Sequence, residues 1–199
     1  MEISAKTVKE LRDKTGAGMM DCKQALQEAG GDIERATIIL REKGMMDAKG
    51  RMGRTTNEGI IEAYIHPGNK LGVLVEVRCE TDFVARNEMF KDFVKNMAMH
   101  IAATNPLAVD HDNLDPELIE QEKEIYKTQA LKQGKPENII DKIVEGRLKK
   151  YYTDVCLLDQ QYVRDPDKTI QDLLTEVVVK TGENIRIHRF ARFRLGDDS

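Results

Sequence analysis

Between residues 71 and 103 the hydrophobic period of this chain changes, and that change sets the centre of any fold it can adopt. In "KLGVLVEVRC", Leu71, Val73, Val75, Val77 and Cys79 fall at every second position, which places all five on one face of a strand. From about residue 82 to 103 the spacing becomes helical, with Phe90, Phe93, Val94, Met97 and Ile101 along one stripe. A one-sided strand followed directly by an amphipathic helix predicts a sheet covered by helices.

The junction between the two, "CETDFVARNE", holds a question of its own. Thr81 suits an N-cap, and Asp82 is a favourable acid beside the helix dipole. Phe83 lies seven residues before Phe90 and fourteen before Met97, so it falls on the same stripe. It either packs in the core or, at the first turn, projects beyond it.

Upstream, "GIIEAYIH" is joined to the apolar strand through "PGN", a hairpin signal. Downstream, Asp115-Pro116 reads as N-cap and N1 of a Glu- and Lys-rich helix running through residue 132. "KPENIIDKIVEGRLKKYY" supplies the next helix, with Ile139, Ile140, Ile143 and Leu148 inward, and "DQQYVRDPDK" reads as a loop. A helix over "TIQDLLTEVVVKTG" follows, and the β-rich "NIRIHRFARFRL" predicts a third strand. The expected class is α+β, with a small antiparallel sheet covered by helices.

The first 44 residues have a different character. Ser4 is a candidate cap for a short helix with Val8 and Leu11 on one side, ended near Lys14 with Gly16 as its C-terminal cap. "MMDCKQALQEA" predicts a second helix burying Cys22, Ala25 and Leu26, broken by Gly30-Gly31. Asp32 caps a third, "IERATIILREKG", which buries Ile33, Ala36 and Ile39 or Leu40 and stops at Gly44. "MMDAKGRMGRTTNE", residues 45 to 58, is expected to be a mobile, solvated linker. Residues 1–54 are therefore expected as a three-helix unit with its linker, and 55–199 as the α+β core.

Composition narrows the function. With 31 Lys and Arg against 35 Asp and Glu, the net charge of −4 gives no basic footprint for a phosphate backbone, so no direct nucleic-acid partner is expected. Trp is absent and aromatics are 5% of residues, which leaves little to stack bases on. Cys22, Cys79 and Cys156 stand far apart, without the paired spacing of structural zinc, and suit reduced thiols in a cytoplasmic protein. No run of about 18 apolar residues and no apolar N-terminal leader occurs, so neither membrane nor export is expected.

Motifs for bond-making are also missing. There is no GxxxxGK[ST] loop, and the GxG of "TGAGMM" lacks a preceding strand. His66, His100, His111 and His188 are scattered over unlike elements, and "DHDNLDPELIEQEKE" does not match a calcium loop. No catalytic residue, metal or cofactor is expected, and the chain reads as a binding protein.

Four segments carry a resemblance. "VKELRDKTGAGMMDCKQAL", "CETDFVARNEMF", "EGRLKKYYTDVCLLDQ" and "RFARFRLG" follow one another as in elongation factor Ts, and the chain resembles that family along nearly its whole length. The resemblance implies a ubiquitin-associated-like three-helix bundle joined to an α+β core, acting as a cytoplasmic guanine-nucleotide exchange factor for elongation factor Tu. It implies that the exchange motif is Thr81, Asp82, Phe83, Val84, Ala85 and Arg86, with Phe83 entering an apolar pocket of the GTPase and Asp82 beside it. Leu11, Met19 and Met20 are implied as a second contact, although Leu11 is equally well placed to be bundle core. At 199 residues the chain resembles the short form of the family, which implies a homodimer in a two-plus-two complex. Ala191 stands where some short members carry a linking cysteine, so pairing at that site is expected to be non-covalent. The other function kept open is a protein-binding adaptor that uses the bundle without touching nucleotide release.

Overall fold

A computed structural model describes residues 3–15 and 17–197. Gly16, expected as a helix cap, lies outside them. Three helices open the chain: α1 (Ala5–Thr15), α2 (Met19–Glu28) and α3 (Ile33–Arg51). Ser4 Oγ accepts from the Thr7 amide at 3.1 Å, and Asp32 Oδ1 accepts from the Glu34 and Arg35 amides, so both expected caps form. Val8, Leu11, Cys22, Ala25, Leu26, Ala36 and Leu40 close into one apolar cluster, as a ubiquitin-associated-like bundle requires.

The third helix corrects the expectation that Gly44 ends it. α3 continues to Arg51, so half of the segment expected as a mobile linker, residues 45–51, is helical. Met, Ala, Lys and Arg are good helix formers, and each of its two glycines, Gly44 and Gly50, costs only about 1 kcal/mol in a helix. Gly44 serves a close approach instead: a Cβ there would meet Val179 at 3.0 Å. Val179 belongs to a helix late in the chain, and this contact seats the bundle on the rest of the protein.

β1 (Glu58–Ile65) and β2 (Leu71–Cys79) form the expected hairpin, with Ile65 opposite Gly72. After β2 comes a single turn, α4 (Asp82–Ala85), then α5 (Glu88–Thr104). The continuous helix expected from residue 82 is therefore broken. Asn87 stops it with an extended backbone, and its side chain accepts from the Met89 amide at 2.8 Å to start α5 afresh.

α6 (Pro116–Lys132) and α7 (Glu137–Val155) pair as a helical hairpin, with Asp115 capping the first through the Glu117 amide. Ile140 and Leu148 are buried, whereas Ile139 faces out. The expected loop at 159–168 contains a small ribbon, β3 (Gln161–Tyr162) and β4 (Asp165–Thr169). α8 (Ile170–Thr181) starts on a reciprocal Thr169–Asp172 capping box, and β5 (Arg186–Arg194) returns antiparallel to β2.

The main sheet has the order β1-β2-β5, with β2 central. Its inner face, Val73, Val75, Val77 and Cys79, packs with Phe90, Val94, Met97 and Ile101 of α5 and Leu174 and Val178 of α8. The α+β class follows: a main antiparallel sheet with helices on one side, beside a small two-stranded ribbon.

Within this core one polar group makes stability depend on pH. His100 is fully buried on α5; its Nε2 lies 2.9 Å from Gln160 Oε1, and its Nδ1 accepts from the Val163 amide at 3.4 Å. Burial lowers its pKa below the usual histidine value, against the opposing effect of the hydrogen bond it donates to Gln160. The unfolded chain then binds more protons than the native one below about pH 6.5, so stability falls as pH drops through that range. The slope from this one group is at most about 1.4 kcal/mol per pH unit. Melting curves at pH 7.5 and 5.5 should show the loss, and His100→Asn should reduce the difference.

A candidate docking site: an aromatic tip on a capped turn

β2 delivers the chain to the tip with Cys79 still in the core. Burial raises the Cys79 thiol to about 11, with Glu183 and Glu58 adding to the effect, so it stays protonated and donates to the Thr81 carbonyl at 3.2 Å. Thr81 is extended, and its hydroxyl accepts from the Val84 amide at 3.4 Å, the N-cap expected from sequence.

The turn then divides by face. Val84 and Ala85 are buried in the main core and anchor α4 against the sheet. Asp82 and Arg86 pair across the outside at 2.9 Å, an exposed contact of small energetic weight. Phe83 stands out with 79% of its surface exposed, and a phenylalanine held in water on a buried scaffold is an unusual use of a large apolar side chain. The six residues 81–86 thus separate into two anchors, a cap, and an outer triplet of Asp82, Phe83 and Arg86.

Sequence reading did not single out Glu183, which lies 102 positions from Thr81. Its carboxylate accepts from the Glu80 and Thr81 amides, both at 3.1 Å, and from the Thr81 hydroxyl at 2.6 Å. Only the return of β5 beside β2 brings it there, and no local pattern signals such a contact.

On the bundle, Leu11 is fully buried among the core of the three helices, so it supports the surface from beneath and does not form part of it. Met19 and Met20 open α2, 46% and 76% exposed, at a helix start whose N-cap Gly18 gives no side-chain bond. They are flexible apolar side chains suited to an irregular partner surface.

Neither of two clefts, about 530 Å³ between α3 and α8 and about 510 Å³ beside Met52 and Leu174, is lined by residues 81–86. Among the described residues no three His, Cys, Asp or Glu side chains cluster to hold a metal, and no helix is long and apolar enough to cross a membrane. What the tip offers chemically is apolar area and shape.

The fold is thus of the α+β class, a three-helix bundle seated on a one-sided core that carries a capped aromatic tip. Sequence comparison specifies it further. The family model described as Elongation factor TS matches residues 3–197. Elongation factor Ts of Caldanaerobacter subterraneus subsp. tengcongensis is 60% identical over 98% of this chain and 98% of its own. That of Nitratidesulfovibrio vulgaris is 58% identical over 98% of each chain, and that of Alkaliphilus metalliredigens 59% over 99% of this chain and 91% of its own. The chain belongs to the elongation factor Ts family, and so to the translation elongation factors.

Proposed function

We propose that this chain binds elongation factor Tu carrying GDP and speeds GDP release, so that GTP can take the vacated site. The observation that carries the reading is Phe83, exposed on a turn that Val84 and Ala85 anchor and Thr81 caps. In this reading the ring enters an apolar pocket of the nucleotide domain, with Asp82 beside it, and displaces a helix near the magnesium site. Magnesium is a dominant local charge at the β-phosphate, so loosening its ligands weakens the hold on GDP. Met19 and Met20 form the second contact, with Leu11 holding their surface in place.

No bond is made or broken in this scheme. The factor need only prefer the GTPase conformation that holds nucleotide poorly. Linkage then requires nucleotide to weaken the factor's grip by the same ratio, so the incoming nucleotide also releases the factor. Stopped-flow release of fluorescent GDP from elongation factor Tu tests the reading. A plain adaptor would bind and leave the rate unchanged.

In the same reading the protein works in the cytoplasm, as a homodimer in a two-plus-two complex, without direct nucleic-acid or membrane contact. Residues 1–54 and 55–199 act as its two units. The outer sheet face supports the pairing: Ala63, Leu74 and Ala191 form one row across β1, β2 and β5, and Ile65, Gly72 and Phe193 the next. Ile65, Leu74 and Phe193 are exposed, whereas the free face of an antiparallel sheet is ordinarily polar. Beside these rows Glu76 is held by Arg78 and Arg189, whose hydrogen bonds keep its carboxyl below the usual range. Two such faces would stack as a sandwich core. Light scattering across a dilution series should give twice 22.6 kDa for the native chain and the single mass for Leu74→Glu. A monomer at every concentration would remove the pairing.

A further inference from the structure

We infer that Glu183 is a positioning residue for the Phe83 tip. This rests on the proposed reading of Phe83 as the group that enters the GTPase. α4 is one turn long, and a single turn has no independent stability. Its first amides also lack partners within the helix. Phe83, mostly in solvent, contributes little to holding its own turn, so something else must fix the direction in which the ring points.

Glu183 meets that need by accepting three hydrogen bonds on its two carboxylate oxygens. By accepting the hydrogen bond from the Thr81 hydroxyl, it leaves the oxygen's lone pairs free for the Val84 amide, so the cap and the clamp depend on one another. The corner carrying Glu183 is itself tied down. The Asn184 amide donates to Glu80 Oε1 at 2.6 Å, returning the bond that the Glu80 amide makes to Glu183. The buried Asn184 side chain donates to the carbonyls of Met52 at 3.3 Å and Arg54 at 2.8 Å, where the chain leaves α3. The Arg54 guanidinium lies 3.5 Å from Glu80 Oε1. The tip, the start of β5 and the exit from the bundle are thus joined at one corner.

A tip fixed before binding loses less freedom on docking, so Glu183 acts on exchange only through Phe83. The test is a double-mutant cycle on the full chain, with amide hydrogen exchange on the same proteins. Glu183→Ala should slow GDP release about tenfold at subsaturating factor and add nothing in the Phe83→Ala background. Amides of Thr81 and Val84 should lose protection while those of β2 and α5 keep theirs. Glu183→Gln, which retains the shape and one acceptor oxygen, should restore part of both signals. It carries the same test should Glu183→Ala lower the melting temperature markedly.

Full activity in Glu183→Ala, an equal loss with and without Phe83, or unchanged protection at Thr81 and Val84 would each overturn the assignment. Were the native protein itself to leave GDP release unchanged, the exchange reading would fall. The amide protection would still decide whether Glu183 fixes the tip.

Discussion

Phe83→Ala is expected to slow the GDP release that this chain is proposed to promote by about thirtyfold, the loss typical of one central aromatic in a binding surface. Its melting temperature should stay within about 1 °C of the native value, because removing an exposed ring leaves no cavity. The ring is 79% exposed, and its turn is held by Val84, Ala85 and Thr81. Asp82→Ala should cost less, about threefold, since it removes only an exposed pair with Arg86 and a first-turn acid. If Phe83→Ala unfolded the core, the ring would have to be packing and not docking.

Phe90→Ala should give the opposite result. Phe90 is fully buried on the face of α5 that packs on the sheet, in one cluster with Val75 and Met97. Truncating a buried phenylalanine costs about 3 to 5 kcal/mol through lost transfer energy and the cavity left behind. For a chain of this size that is a fall of roughly 10 °C, readable by circular dichroism. Exchange measured well below the melting range should change far less than in Phe83→Ala. The two residues thus separate stability from docking across one short segment.

That contrast also marks how far the sequence could be read. Phe83 and Phe90 are seven apart and share a helical stripe on paper, yet one is outside and the other inside. The phase is lost because Asn87 ends one helix and begins another, and a capping asparagine within an apolar pattern is easily passed over. The alternation of Val73, Val75 and Val77 was legible because a half-buried strand leaves no other arrangement for them. Gly44 misled in the other direction: its value lies in the approach of Val179, a partner 135 positions away, and not in local backbone preference.

At the site the same division holds. Thr81 and Asp82 carry local signals and stand where those signals put them. Met19 and Met20 are exposed together at the start of α2, while the choice left open for Leu11 resolves to burial. Glu183 and Asn184 gave no sign in the sequence, because their bonds to the tip arise only from the pairing of β5 with β2. Long-range hydrogen bonds between side chain and backbone leave no periodicity to detect.

The proposed exchange function requires this chain to make a GTPase release GDP by contact alone. Its most direct test is stopped-flow dissociation of fluorescent GDP from elongation factor Tu, chased with unlabelled nucleotide, over a range of concentrations of this chain. The release rate should rise with concentration and then saturate, with the rise largely abolished in Phe83→Ala. A rate that stayed at its spontaneous value at every concentration, while the two proteins were shown to bind, would contradict it and leave an adaptor.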